Sequence, residues 1–132
     1  WIAEVHQGSL KGAAVKLITA IIPPERLEST KVELGKVNVY RLTVMDCQGI
    51  SKTQQEPSSK QSAAAAYGQQ NQTVSFVKIM IAVNEEFLEP SIHAILRGAE
   101  IKEQCDDFGR IFISSLEEVI RIRTGERGPG AI

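Results

Sequence analysis

Apolar residues fall along this chain in four runs typical of strands and two stripes typical of helices. The strand-like runs, rich in branched aliphatic residues, cover 15–22, 40–47, 74–83 and 110–114. The helical stripes, in which apolar residues recur every three or four positions, cover 24–37 and 85–97. The order strand, helix, strand, strand, helix, strand predicts an α+β, ferredoxin-like βαββαβ fold, with an antiparallel sheet and both helices on one face.

Proline residues affect both helices, at the start of the first and inside the second. Pro24 and Glu25 suit the first turn of the first helix, because a proline there loses no hydrogen bond and a carboxylate favours the positive end of the helix dipole. Pro90 interrupts the second stripe, and a proline inside a helix removes a backbone hydrogen bond. The second helix is therefore expected to begin near Glu89 or to kink there.

Three segments lack this apolar periodicity. Residues 48–73 are rich in Gln, Ser and Ala and too polar to pack, which predicts a long loop between the second and third strands. Residues 100–109 are interpreted as a shorter acidic loop, and residues 1–14 as an N-terminal extension or tag. The single domain then covers 15–132, and its glycine-rich end from Gly125 is expected to be loose.

Composition narrows the classes of function. The 132 residues are 42% hydrophobic and 23% charged, as in an ordinary globular domain, and the net charge of -1 gives no basic field to gather nucleic acid. No apolar run approaches the roughly 20 residues that span a bilayer. Cys47 and Cys105 are too few for a disulfide framework, which favours a reducing compartment. The sequence therefore predicts a cytoplasmic protein without a nucleic-acid partner.

Two arginines near the end of the chain carry the clearest binding chemistry. Arg121 and Arg123 alternate with Ile120 and Ile122, and on a strand this alternation places both arginines on one face. Two parallel guanidiniums match the oxygens of a phosphate. The pattern leaves two interpretations open, an anion receptor or an edge strand with a solvated basic face.

The C-terminal segment, 119–132, begins with Val-Ile-Arg-Ile-Arg-Thr-Gly-Glu, and shorter motifs precede it in a fixed order. These motifs are found at Lys16–Ile22, Leu42–Val44, Gly49, Val77–Ile79 and Gly109–Phe112. Together they resemble the PII nitrogen-regulatory signal proteins, whose C-terminal signature the last motif matches almost letter for letter. In that family residues 48–73 correspond to the T-loop and residues 100–109 to the B-loop.

The resemblance implies a homotrimer that binds an adenine nucleotide, ADP, ATP or AMP, in each cleft between copies. The nucleotide-binding residues implied by position are Thr43 and Gly49 for the adenine and ribose, Gly109 and Arg110 for the phosphates, and Arg121 and Arg123 from the neighbouring copy. Arg110 stands where the family has a lysine. No glycine-rich phosphate loop of the Walker type is present in the sequence.

The resemblance also implies a regulatory role in nitrogen metabolism. The T-loop, here with Lys52, Gln54 and Tyr67, would contact a target transporter, channel or metabolic enzyme, so the protein would be recruited to a membrane when its partner lies there. A small-molecule effector would set the state of the loop. Tyr67 is only a rough counterpart of the family's modifiable tyrosine, and nucleotidylylation is not expected.

Two departures from the family change the expected ligands. The B-loop, which is glycine-rich in the family, is short of glycine here and carries Glu103, Asp106 and Asp107. These carboxylates repel a triphosphate that is not accompanied by Mg²⁺, which favours ADP, AMP or a cyclic nucleotide. The T-loop lacks the family's second glycine after Gly49, and segment 73–76 lacks its lysine. A dicarboxylate needs a cation to offset its desolvation. Sensing of 2-oxoglutarate is therefore predicted to be weakened or lost.

Other chemistry is left as alternatives. A slow, Mg-dependent nucleotide phosphohydrolase would use the same cleft, with Asp106 or Asp107 orienting water, although a binding protein without enzymatic activity is the main prediction. Cys47 and Cys105 border the cleft in a PII-like fold, where a redox pair would switch nucleotide binding. Two unrelated thiols are the alternative. The two histidines lack metal-ligand spacing with either cysteine, so no metal site is predicted.

Overall fold

The computed structural model describes residues 14–52, 71–100 and 109–132. In chain order the elements are β1 (Val15–Ile22), α1 (Leu27–Lys36), β2 (Thr43–Lys52), β3 (Asn71–Asn84), α2 (Glu85–Gly98) and β4 (Arg110–Leu116). Neighbouring strands are antiparallel, and their order across the sheet is β2-β3-β1-β4. This arrangement confirms the predicted ferredoxin-like α+β fold.

The central strand β1 defines two ends of the sheet. At one end, which we name the Val15 end, Val15 pairs with Asn84 of β3 and with Leu116 of β4. At the opposite end, the Ile22 end, Ile22 pairs with Val77. The length of β1 separates the two ends by roughly 23 Å, since a strand rises about 3.3 Å per residue.

Both helices cover the same face of the sheet. Ile18 of β1 and Ile81 of β3 are cross-strand partners on this face, and both are buried together with Leu34 of α1 and Ile95 of α2. Burial of each such aliphatic side chain contributes about 1.5–3 kcal/mol relative to exposure. The apolar alternation in the sequence therefore marks the layer between sheet and helices correctly.

The two helices are joined to each other by polar contacts at their surface. Ser29 Oγ donates a hydrogen bond to the carbonyl of Gly98 at 2.6 Å. Glu33 lies between Lys36 and Arg97 and accepts hydrogen bonds from both, at 2.8 and 3.1 Å. These contacts fix the helix pair over the sheet.

The other face of the sheet is covered only in part by the described chain. Phe112 of β4, which pairs with Thr19 of β1, is 57% exposed. In the C-terminal segment Ile122 is fully exposed and Ile120 is half exposed. Large apolar side chains left in water are typical of a surface that another chain covers.

β2 and β3 differ in their limits from the sequence prediction. β2 begins at Thr43 rather than at residue 40 and continues to Lys52, and β3 begins at Asn71 rather than at residue 74. The two strands pair along this whole length, so backbone hydrogen bonds extend polar sequence into a two-stranded ribbon beyond the Ile22 end. The ends of the predicted loop over 48–73 therefore lie in strands, and residues 53–70 lie outside the described residues.

α2 begins where the apolar stripe over 85–97 predicts, and the alternative start near Glu89 that Pro90 suggested is wrong. It starts at Glu85, four residues before Glu89, and continues through Pro90. The hydrogen bond that Pro90 cannot make is the one to the carbonyl of Glu86 in the first turn, and the buried apolar face around Ile95 keeps the helix continuous. Residues 1–13 of the predicted N-terminal extension lie outside the described part of the chain. The same holds for residues 101–108 of the predicted B-loop.

Candidate functional site

The first half of the candidate site lies at the Ile22 end of the sheet. Gly109 and Arg110 come directly after residues 101–108, which lie outside the described residues. Arg110 pairs with Ile21 of β1. Both residues are exposed, and Arg110 Nη1 donates to the carbonyl of Gly109 at 2.9 Å. Beside Gly109 is a cavity of about 150 Å³, with Pro23, Pro24, Val74 and Phe76 among its lining residues.

The root of the β2–β3 ribbon forms a second cavity next to the first. The described residues that line it are Pro24, Asp46, Cys47, Gln48, Ser75 and Phe76, and among these only Asp46 is charged. The Phe76 ring lies against Gly49, and a Cβ at Gly49 would overlap that ring. A larger residue at this position would therefore force the Phe76 ring to move, whatever the role of Gly49 toward a ligand.

The C-terminal segment folds differently from the prediction. The predicted strand with Ile120 and Ile122 on a buried face is wrong, since Ile120 forms a single bridge with Arg127 and residues 122–124 form a turn. Gly125 closes that turn with φ 73°, in the left-handed region that favours glycine. The chain reverses here because the turn at Gly125 overrides the local alternation of the sequence.

The end of the chain is ordered rather than loose. Gly128, with φ 90°, is buried, and a single 3-10 turn follows over Pro129–Ala131. The Gly128 amide donates to the carbonyl of Val119 at 3.0 Å, and Arg127 donates to both carboxylate oxygens of Glu118. Backbone hydrogen bonds and this ion pair hold the segment in a closed hairpin.

The two arginines of the predicted anion receptor have different surroundings. Arg121 Nη2 donates to the carbonyls of Gly130 and Ile132, both at 3.1 Å, and its Nη1 lies 3.5 Å from Glu126 Oε2. Arg123 lies in the turn with an exposed side chain, and among the described residues it has neither a hydrogen-bond nor an ion-pair partner. Only Arg123 therefore offers its full guanidinium to a ligand.

A pocket of about 270 Å³ lies where the C-terminal segment meets the sheet. Its walls include Tyr40 and Arg41 before β2, Asn84 at the end of β3, and Ile132. Asn84 Oδ1 is buried without a hydrogen-bond partner in the described structure, which leaves an acceptor available. Thr43 comes two residues after the lining residue Arg41 and is exposed.

The structure divides the predicted nucleotide residues into two groups. Thr43 and Gly49 both belong to β2 but are six residues apart, which is roughly 20 Å along a strand. Arg121 binds residues that line the pocket near Asn84, at the Val15 end, whereas Arg110 lies at the Ile22 end. A single chain therefore does not bring the two groups to one ligand.

The remaining predicted residues are in part outside the description. The residues outside the described ranges are Gln54 and Tyr67 of the T-loop and Cys105 of the B-loop. Because Cys105 is among them, the pairing of Cys47 with Cys105 stays a prediction. Lys52 ends β2 and pairs through its backbone with Asn71. Cys47 is a half-buried free thiol whose Sγ is 3.7 Å from the carbonyl of Met45.

The described residues provide neither a cluster that could hold a metal ion nor a helix that could cross a membrane. No group of three His, Cys, Asp or Glu side chains within the described ranges is placed to hold a metal ion. In the same part of the chain no helix is long and apolar enough to cross a bilayer.

Sequence reasoning missed several residues that shape these cavities. Phe76 is close to Gly49 only because Cys47 pairs with Phe76 across the ribbon, and that register is not visible in the sequence. Asn84 carried a sequence signal as a residue suited to begin a helix, but its unpaired oxygen depends on the packing around it.

The chain resembles known proteins in both sequence and structure. The family model described as nitrogen regulatory protein P-II matches residues 15–126. The chain belongs to the PII family. This membership confirms the resemblance drawn from the C-terminal signature, and the relatives carry the names of regulatory proteins, as expected for a PII protein that is not an enzyme.

Individual PII relatives match nearly the whole chain. Nitrogen regulatory protein GlnK1 of Methanosarcina mazei is 44% identical over 119 residues, covering 90% of this chain and 98% of that protein. Nitrogen regulatory protein P-II of Bradyrhizobium diazoefficiens is 36% identical over 121 residues, covering 89% of this chain and 100% of that protein.

Solved structures share the fold of this PII protein. The citrate-bound PII of Arabidopsis thaliana superimposes with a TM-score of 0.69 at 29% identity, covering 90% of this chain and 92% of that one. The ATP complex of Bacillus subtilis GlnK gives 0.71 at 24% identity, covering 90% and 98%. At that level of identity the second match speaks for the fold alone.

Proposed function

We propose that this chain is a PII-type signal-transduction protein that binds an adenine nucleotide between adjacent copies of a homotrimer and regulates a partner protein through its T-loop. The observation that carries the proposal is the separation of Gly109 and Arg110, at the Ile22 end of the sheet, from Arg121, whose partners lie near the Val15 end. A second copy must complete the site, as the PII resemblance implies.

The grouping assigns each residue to one side of the intersubunit cleft. One copy contributes Gly49, Gly109 and Arg110 from its Ile22 end. Its neighbour contributes the C-terminal arginines from near its Val15 end and Thr43 from the middle of its sheet, where Thr43 pairs with Met80. This differs from the assignment implied by the sequence, which placed Thr43 and Gly49 on the same side. The uncovered apolar residues Phe112, Ile120 and Ile122 support contact between copies.

The charge of the cleft supports a phosphorylated ligand. Arg110 on one side and Arg123 on the other present guanidiniums, which bind phosphate oxygens in pairs. The fold is shared with a GlnK that was solved with ATP. We expect ADP or AMP to bind without Mg²⁺ and ATP to bind more tightly with it, since acidic B-loop residues repel a bare triphosphate.

The cavity at the root of the ribbon supports weakened 2-oxoglutarate sensing. Its lining contains Asp46 and the apolar ring of Phe76 and no cationic side chain among the described residues. A dicarboxylate there would lose hydration without a compensating charge and would face a like charge. Sensing of 2-oxoglutarate is therefore weakened or lost in this protein.

The T-loop would transmit the state of this cleft to a transporter, channel or metabolic enzyme. The ribbon of β2 and β3 supports this role, because it connects the cleft residue Gly49 directly to Lys52 and the loop beyond. Gln54 and Tyr67 would then contact the partner. A ligand would act by favouring one loop state over others through differential contacts.

Calorimetry combined with sedimentation velocity tests this function. We expect a trimer that binds one adenine nucleotide per chain, with GTP as the matched control that carries the same phosphates on a different base. A monomer, or equal binding of GTP and ATP, would contradict the proposed adenine site between copies.

A further inference from the structure

The pocket beside the end of β3 is separate from the residues of the proposed nucleotide cleft. Thr43 pairs with Met80, which also pairs with Thr19, so these residues share the face of the sheet that carries Phe112. Ile81 is the next residue of β3 and therefore lies on the opposite face, where it is 1% exposed. The apolar lining of the pocket and the cleft residue Thr43 thus lie on opposite faces of the sheet.

Much of the lining of this pocket is apolar. Val39, Ile81 and Val83 are buried residues of the core, and Phe87 packs against the same core from the first turn of α2. The volume of about 270 Å³ is slightly below the roughly 300–1,000 Å³ typical of pockets for drug-sized ligands. The pocket therefore suits the hydrocarbon part of a small molecule.

The end of β3 carries polar groups that the described residues do not satisfy. β2 pairs with β3 only as far as Met80, so on that side residues 81–84 have no described strand partner. Alternate residues of an antiparallel strand direct their N–H and C=O groups to each side, and no hydrogen bond from the described chain reaches this edge.

Asn84 adds a buried acceptor at the same place. An asparagine before a helix usually accepts a hydrogen bond from an amide of the first turn, but Asn84 makes no such bond with α2. Its Oδ1 is buried and without a partner among the described residues. Because buried acceptors are nearly always satisfied, a donor on a ligand is the partner that this oxygen lacks.

A cation completes the set of groups around the pocket. Arg41 lines it, its side chain is exposed, and it has neither a hydrogen-bond nor an ion-pair partner among the described residues. It is also the only charged side chain in the described lining. A guanidinium binds a carboxylate through two parallel hydrogen bonds. The pocket therefore combines an anion receptor, an unsatisfied acceptor and apolar walls.

We propose that this pocket binds an apolar α-amino acid, with the carboxylate on Arg41, the ammonium group on Asn84 Oδ1 and the side chain against Phe87. An amino acid carries these three groups on one carbon atom, which matches the three kinds of group in the lining. A ligand with a second carboxylate is disfavoured, because Arg41 is the only cation of the described lining. The inference does not depend on the proposed nucleotide site, since the two sites share no residue.

Calorimetry of the full, nucleotide-free protein with L-leucine tests the site. One leucine is expected to bind per chain, and L-glutamate is expected to bind at least tenfold more weakly, because its second carboxylate would lose hydration without a partner. Two analogues remove one group each. 4-Methylpentanoate lacks the amino group and leucinamide lacks the carboxylate, so each is expected to bind at least tenfold more weakly than leucine.

Variants combined with these analogues assign each contact. Arg41→Gln is expected to weaken leucine at least tenfold and to leave leucinamide unchanged, since leucinamide has no carboxylate for Arg41. Asn84→Ser keeps a residue suited to begin a helix, and it is expected to weaken leucine but not 4-methylpentanoate. Circular dichroism checks that each variant keeps its secondary structure.

Arg26→Gln is the matched control for Arg41→Gln. Arg26 is also exposed, and its side chain has no partner among the described residues, but it lies beyond the Ile22 end of the sheet. The affinity for leucine is expected to be unchanged in this variant. Equal effects of Arg26→Gln and Arg41→Gln would contradict the assignment of the carboxylate to Arg41.

Two further results would overturn the inference. Absence of binding by L-leucine, L-methionine and L-phenylalanine would show that the pocket takes no apolar amino acid, including the case in which a neighbouring copy fills it. Tighter binding of L-glutamate than of leucine would contradict the apolar class. Titration of the same samples with ADP keeps the proposals distinguishable, because absence of nucleotide binding would refute the proposed function and leave the leucine result standing.

Discussion

Gly98 at the end of α2 lies directly against the backbone of Thr30 in α1. A Cβ at Gly98 would overlap Thr30 Cα, and it would stand 3.0 Å from the carbonyl oxygen of Ser29. Because the obstacle is backbone and not the end of a flexible side chain, the helices must separate to admit even a methyl group. The α1–α2 contact depends on this glycine.

Gly98→Ala is therefore expected to lower the free energy of unfolding by about 1–3 kcal/mol, the usual cost of overpacking. Urea denaturation at one fixed protein concentration measures it, since association adds to apparent stability. The matched control is Gly35→Ala in α1, where the new Cβ would stand 3.5 Å from the Tyr40 ring, an ordinary contact. Alanine is a better helix former than glycine by roughly 1 kcal/mol, so the control should not destabilise. Equal stability of both variants would disprove the packing argument.

Acid is expected to weaken the contact between the helices at Glu33. Hydrogen bonds from Lys36 and then Arg97 hold the pKa of the Glu33 carboxyl below its usual value of 4.5. A folded-state pKa below the unfolded value means that the stabilisation is complete above about pH 4.5 and is lost as the pH falls through the lowered pKa. Glu33→Gln should thus reduce the fall in Tm between pH 7 and pH 3.

Arg97→Gln serves as the control for this pH dependence. It removes one of the two partners of Glu33. The fall in its Tm between pH 7 and pH 3 should therefore lie between the falls of the unchanged protein and of Glu33→Gln. Added salt should reduce the difference between variants, because these groups are near solvent. An identical acid response of all three proteins would exclude Glu33 as a contributor.

Ile122→Asp is expected to prevent assembly. Ile122 is fully exposed in the single chain, and a carboxylate buried between copies would lose its hydration without a partner. Sedimentation velocity should show a smaller species for this variant. Val32→Asp on α1 is the control, since Val32 is 59% exposed on the helical side of the molecule and should leave the trimer intact. A trimer formed equally well by Ile122→Asp would place the interface elsewhere.

Phe76→Lys is expected to introduce 2-oxoglutarate binding. The substitution adds a cation to the cavity at the root of the ribbon, next to Cys47 and Gln48. In the presence of nucleotide, calorimetry should detect affinity for 2-oxoglutarate at least tenfold above that of the unchanged protein. Phe76→Leu, which removes the ring without adding charge, should remain as weak. Strong binding by the unchanged protein would refute the prediction that its sensing is impaired.

The sequence predicts the central elements well because their signals are local. The run over β1 and the stripe over α2 each contain enough buried apolar residues to determine the type of element. The ribbon was missed because its polar residues, such as Gln48 and Ser75, are held by backbone pairing between strands. Backbone pairing leaves little trace in the choice of side chains.

The candidate site was predicted as a set of residues but not as a geometry. Gly49, Gly109 and the arginines were identified by their likeness to a family, and their division between two ends of the sheet required the register of β1. The engagement of Arg121 was not predictable either, since its partners are the carbonyls of Gly130 and Ile132, which every residue type provides.

The β2–β3 ribbon extends well beyond the end of β1, so a small change in its twist is amplified at its tip. Its last pair, Lys52 with Asn71, lies six residues beyond Val77, roughly 20 Å past the end of β1. A change of a few degrees in strand twist beside Gly49 would shift that tip sideways by an ångström or more, on the order of the lever length multiplied by the angle. A protein bound at this tip would therefore respond to the strand twist beside Gly49 without contacting a nucleotide.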